Sequence, residues 1–228
     1  MTCPPGWSSR EVLFFAMALL PLTADELLST TRTVRKRLDL TRPVERELLE
    51  ECLDLALQAP TGGGVQGWHF VVVTEPERKR AISDLYRKSK AKNDPPSTPP
   101  EHRRSMDSSA YLAEHLHDVP VLVVPCVEGR IENAPFMVQA VTWGSILPAT
   151  WSFMLAARAR GLGTAWTSLH LEYEREAATV LGIPYEQVMQ VALIPVAYTI
   201  GTDFKRGPRI ATGERVHWDR WDGATTSG

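Results

Sequence analysis

A chain of 228 residues is long enough to bury one substantial core, and its 43% hydrophobic and 23% charged residues are ordinary for a globular protein. A formal charge of −2 gives no global field to draw in nucleic acid or an anionic membrane, so neither is an expected partner and any anion site must be local. The three cysteines show no CxxC or zinc spacing, which argues against a disulfide framework and fits a reducing, cytoplasmic setting.

Val12 to Leu22 forms an apolar run of eleven, too short to span a membrane. Only Arg10 precedes it and no small-residue cleavage site follows, so it makes a poor signal peptide. Thr23-Ala24-Asp25-Glu26 matches a helix capping box, with Leu22 and Leu27 placed as its hydrophobic staple. Residues 1–21 therefore read as a tail or an over-called start, and 22–228 as one domain.

From Ala24 a first helix is expected to run into the basic stretch Arg32-Thr33-Val34-Arg35-Lys36-Arg37. A second, over 45–58, sets Leu48, Leu49, Cys52, Leu55 and Ala56 on one face, and Ala59-Pro60-Thr61-Gly62-Gly63-Gly64 breaks it. Residues 68–73 read as a buried strand, 77–90 as a polar surface helix, and the proline-rich stretch 94–100 as a mobile loop or lid. A helix then precedes a second buried strand at 119–127, which ends near a buried Cys126. Residues 136–160 are apolar on most sides and should cross the centre of the molecule or of a dimer, with Pro148 marking a kink or break and Gly161 the stop. Strands at 162–166 and 190–197 flank a helix at 173–181. The alternation gives an α+β or α/β sandwich around one central sheet, without internal repeats.

Six histidines invite a metal, but none forms an HExxH pair, and His115 and His117 are two apart; no metal site is expected. Gly144-Ser145-Ile146 lacks the glycines of a nucleophile elbow. Gly161-Leu162-Gly163 is followed by Trp166 where a dinucleotide fingerprint needs glycine, and Gly62-Gly63-Gly64 lacks the Lys-Ser/Thr of a P-loop. What remains is scattered. Arg32 and Arg35, with Thr33 between them, read either as a phosphate site or as a solvated basic helix end. The glycine triplet reads either as a plain helix stop or as backbone brought close to a planar ligand.

The order of these segments carries more than any one of them. Thr31-Arg32-Thr33-Val34-Arg35, then Ala59-Pro60-Thr61-Gly62, then Gln66-Gly67-Trp68-His69-Phe70-Val71-Val72 resembles the opening of the nitroreductase family. Ser145-Ile146-Leu147-Pro148-Ala149, Ala156-Ala157-Arg158-Ala159-Arg160-Gly161-Leu162-Gly163-Thr164 and the stretch from Arg209 to Trp221 are similar to that family too, so the resemblance spans roughly 22–221. It departs at Thr31, where the family often has arginine, at Arg37 for an aromatic, at Gly64 for asparagine and at Gly67 for proline.

The resemblance implies an α+β, nitroreductase-like fold: a central, mainly antiparallel sheet flanked by helices, in an intertwined homodimer that holds FMN between two chains. Carried over residue by residue, Arg32, Thr33 and Arg35 match the motif that binds the phosphate and pyrimidine side, with Arg209 as the C-terminal basic residue. Thr61 and Gly62 match a turn contributed by the partner chain, and Thr167 and Ser168 the segment facing the ring edge. It further implies hydride transfer from NAD(P)H through flavin N5 to a small nitroaromatic or quinone acceptor, by ping-pong kinetics and with no catalytic side chain. Two other readings stay open: a flavin-binding protein without turnover, and a family member performing dehalogenation, ene reduction or flavin cleavage.

Overall fold

Helix α1, Ala24–Thr30, starts at the expected capping box: the Glu26 N–H donates to Thr23 Oγ1 at 3.2 Å and the Thr23 N–H to the Glu26 carboxylate at 2.8 Å. It ends at Thr30 and does not run into the basic stretch, contrary to expectation. Thr31, extended, caps it, and Thr33 then makes a parallel bridge to Thr164 while the Val34 N–H donates to the Thr164 carbonyl at 2.8 Å. Thr31, Thr33 and Val34 are β-branched, and an open sheet edge offers their backbone the hydrogen bonds that a helix would have supplied. The computed structural model describes residues 19–95 and 99–221; Cys3, most of the apolar run at 12–22 and the middle of the proline-rich stretch at 94–100 lie outside them.

Among the described residues one five-stranded sheet forms from β1 (Trp68–Val73), β2 (Val121–Glu128), β3 (Leu162–Thr164), β4 (Val188–Gln190) and β5 (Ile194–Tyr198). The order is β1-β2-β5-β3, with β4 continuing beside β2, and every ladder between these strands is antiparallel. β1 is an edge strand with partly exposed residues, not a fully buried one. β2 is central and buried through Val127. Its alternate residues serve two cores. Val121, Val123 and Val127 face α2 (Arg46–Ala56) and α5 (Phe136–Ala159), while Leu122, Val124 and Cys126 face α3 (Pro76–Asn93), α4 (Pro100–His115) and α6 (Glu174–Leu181).

The strand expected over 190–197 is two strands separated by a bulge. Val123 pairs with Ile194 and Cys126 with Gln190, so three residues on one side oppose two on the other. One of those two is Pro125, which has no N–H for the ladder; it accepts from the Val191 N–H at 2.9 Å instead. The extra residue frees Leu193 to pair with Thr167 in both directions, at 3.1 and 2.8 Å. This bulge is what ties down the chain after β3.

α5 runs through Pro148 without a break. It buries Ile146, Ala149, Phe153 and Met154, yet leaves Phe136, Met137, Val141, Leu147 and Trp151 exposed. Leu55, expected in the core, is 47% exposed on neighbouring α2. α3 is longer than expected and buries Ile82 and Tyr86 along its inner face.

Candidate functional site

The opening basic segment lies along the β3 edge because Gly163 lets it approach. A Cβ on Gly163 would stand 2.6 Å from Thr199 Cγ2 and 3.0 Å from Val34 Cβ, so the buried Val34 side chain occupies the space that a larger residue would need. Val34 is the anchor, and Arg32, Thr33 and Arg35 are carried beside it.

Arg32 meets Arg209 at Gly207. A Cβ on Gly207 would overlap the Arg32 guanidinium and lie 2.7 Å from Arg209 Nη1. Among the described residues Arg32 has no hydrogen-bond or ion-pair partner, and Arg209 donates only to the carbonyl of its neighbour Pro208, at 2.8 Å. Two cations brought this close repel by roughly 1–3 kcal/mol at the effective dielectric of a protein surface. An anion held between them would reverse that sign. Beside them opens a cleft of about 500 Å³ lined by Asp25, Ser29, Thr31, Trp151, Arg206 and Arg209. Asp25 makes no ion pair among the described residues.

Arg35 is directed elsewhere. Its Nη1 donates to Ser108 Oγ at 3.1 Å, and its charge acts on buried Tyr86. Burial pushes the Tyr86 phenol up; Arg35 and the Thr167 and Ser109 hydroxyls partly offset this. Arg35 and Thr167 therefore converge on one phenol. Thr167, 7% exposed, donates its own hydroxyl to the Leu193 carbonyl at 2.6 Å, leaving its oxygen as an acceptor. Ser168 follows, exposed and without a side-chain partner among the described residues.

Thr61 and Gly62 sit apart. The Gly62 N–H donates to Ser145 Oγ at 3.0 Å, and a Cβ there would overlap Val141 Cγ1, which fixes the turn against α5. Gly62 also lines a second cleft of about 500 Å³ with Val65, Trp68, Glu128, Met137 and Val141. The register locates both groups. Thr33, Thr164, Val196 and Val121 share one row across the sheet, whereas Trp68 pairs with Val127 six residues further along β2. That is about 20 Å along the strands, and four strand spacings, about 19 Å, across them. Within one chain the arginines and the glycine turn flank opposite corners.

Sequence reasoning missed Gly163, Gly207, Ser108 and Tyr86. Gly207-Pro208 between arginines was a readable breaker; the Tyr86 contacts depend on pairing between distant segments and left no local signal. Among the described residues no cluster of histidine, cysteine, aspartate or glutamate could hold a metal. His115 and His117 both lie beside Asp118.

The profile of the nitroreductase family matches residues 28–198, from the last turn of α1 to the end of β5. The chain belongs to the nitroreductase family. Its relatives include a Methanothermobacter thermautotrophicus protein named for NADH dehydrogenase and NAD(P)H nitroreductase, 27% identical over 198 residues that cover 86% of each chain. Among solved structures it is similar to an oxidized iodotyrosine deiodinase bound to FMN and 3-iodo-L-tyrosine, with a TM-score of 0.67 at 21% identity, over 86% of this chain and 98% of that one. An FMN- and NADPH-dependent nitroreductase from Sphigopyxis sp. strain HMH gives a TM-score of 0.65 at 21% identity, over 88% of this chain and 100% of the other. The nitroreductase fold, with its antiparallel sheet between helical layers, is thus the fold of this chain. Among the described residues no helix is long and apolar enough to cross a membrane.

Proposed function

We propose that this nitroreductase-family chain is an FMN-dependent oxidoreductase that takes hydride from NAD(P)H and passes it to a small acceptor. The observation that carries the reading is the pair Arg32 and Arg209, both against one glycine, with no ion-pair partner for either among the described residues. A flavin phosphate has the charge and acceptor oxygens that two guanidinium forks satisfy. The chemistry FMN supplies when bound is hydride exchange between donor and acceptor. The chain's own residues would hold and orient it. Arg32, Arg209 and Thr33 take the phosphate, and Arg35 offers a fixed cation to the pyrimidine side, steadied by Ser108. Thr167, immobilised by Leu193, and Ser168 face the ring edge.

Thr61 and Gly62 can join that site only from a second copy, because in one chain they stand at the opposite corner of the sheet. This supports an intertwined homodimer in which the exposed α5 face meets its symmetry mate. Donor and acceptor then use one cleft in turn, and the acceptor is a nitroaromatic, a quinone or a similarly planar molecule.

Steady-state kinetics test the reading. Initial rates at several fixed acceptor concentrations should give parallel double-reciprocal lines with NADH or NADPH as donor. Intersecting lines would mean separate donor and acceptor pockets. No turnover with nitroaromatics or quinones, beside a flavin that the donor still bleaches, would point to dehalogenation or another chemistry. A flavin that neither nicotinamide bleaches would point to a binding protein.

A further inference from the structure

The turn after β5 holds two arginines that the proposed flavin site does not use. Arg37 belongs to the opening segment and Arg158 to the last turn of α5, yet both guanidiniums lie over the Phe204 ring, 4.4 and 4.8 Å from its centroid. Each also takes a main-chain carbonyl of that turn. Arg37 Nε donates to Ile200 O at 2.7 Å, and Arg158 Nη2 to Thr202 O at 2.9 Å. Arg37 pairs with Asp203 as well, at 2.8 Å. Gly201, at φ +75°, admits it: a Cβ there would stand 2.6 Å from Arg37 Nη2.

Arg158 is buried, with Nε and Nη1 unpaired among the described residues and no carboxylate against it. Burial first, and then Arg37, lower its pKa. A buried cation without an acid is costly in itself, and the contacts this one does make fall on Thr202 and Phe204. Those residues are the root of the exposed arm that carries Lys205, Arg206, Gly207 and Arg209. The arm from Thr202 to Ala211 has neither strand nor helix to direct it, so its course is set where it leaves the sheet.

We propose that the Arg37–Phe204–Arg158 stack is a positioning clasp: it aims the arm so that Arg209 closes on Arg32 at Gly207, and thereby sets selectivity for the phosphorylated flavin. The clasp touches neither phosphate nor ring, and it rests on the FMN reading above.

Titration of ligand-free protein with FMN and with riboflavin, read by flavin fluorescence, tests it without any turnover. The wild type should hold FMN at least about tenfold more tightly than riboflavin, since only FMN brings the phosphate. Phe204→Ala should weaken FMN by about tenfold while riboflavin stays within about twofold, and Phe204→Tyr should restore the difference. Arg37 is half exposed, so Arg37→Gln should keep the apoprotein's thermal midpoint and still cost FMN about three- to tenfold. Wild-type selectivity in Arg37→Gln would overturn the clasp. So would Phe204→Ala losing both ligands in step with its thermal midpoint, which is what a merely structural ring would do. A wild type that binds both flavins alike, or neither, removes the phosphate site itself; that failure is visible before any substitution.

Discussion

Single residues carry the sharpest consequences. Arg32→Ala and Arg209→Ala should each leave the apoprotein folded, since neither guanidinium supports another side chain among the described residues. Each should weaken FMN by about 1.5–3 kcal/mol, the worth of a charged hydrogen bond. Isothermal titration checks this, and wild-type affinity in both variants would show that the phosphate lies elsewhere. His170 makes a different prediction. It is fully buried with both ring nitrogens unpartnered among the described residues, and burial lowers its pKa from 6.5 to about 4. The unfolded chain takes up a proton below pH 6.5 while the folded chain resists, so this group costs stability as pH falls from 6.5 towards 4 and adds no further slope below that. The loss should approach roughly 3 kcal/mol, at about 1.4 kcal/mol per pKa unit. Urea unfolding of wild type and His170→Phe at several pH values measures it; equal slopes through that window would mean that the imidazole has a partner. Of the proposed site residues, Arg32, Thr33, Arg35 and Arg209 could be named from the sequence only through their order along the chain. Which pairs with which was not. Arg209 finds Arg32 across 177 positions because Gly207 leaves room, and no local pattern encodes such a meeting.

At the scale of elements, strong local signals read true. The Thr23 capping box starts α1, β1 spans the expected Trp68–Val73, and Gly161, at φ +77°, stops α5. The failures came where tertiary pairing overrode propensity. The basic stretch after Thr30 mixes helix-forming arginines and lysine with β-branched Thr31, Thr33 and Val34, and pairing with the β3 edge decides for an extended bridge. The bulge at 191–193 depends on Pro125 in another strand, which a window over 190–197 does not contain. Gly163 is the hinge of the first case. Gly163→Ala would press on Thr199 and Val34, costing about 1–3 kcal/mol by overpacking. It should also lower FMN affinity, because Arg32 and Arg35 flank the displaced Val34. Thermal melting and flavin titration read the two effects. A Gly163→Ala protein that melts lower but binds FMN as well as wild type would separate the strand edge from the site.

At the scale of the whole molecule, the proposed site calls for a second copy of the chain. α5 turns Phe136, Met137, Leu147 and Trp151 outward, and Leu55 of α2 is exposed as well. The proposed homodimer would cover this apolar stripe. The two halves of the candidate site, about 20 Å apart along the strands, fit one ligand only if two copies bring opposite corners together. Flavin binding and dimerisation should thus be one event. Size-exclusion chromatography with light scattering and visible absorbance, followed by mass identification of the released chromophore, tests this most directly. A yellow dimer with about one FMN per chain is expected, in keeping with a phosphate site on each copy. A monomer that carries FMN, or a dimer that takes up no FMN on reconstitution, would contradict it.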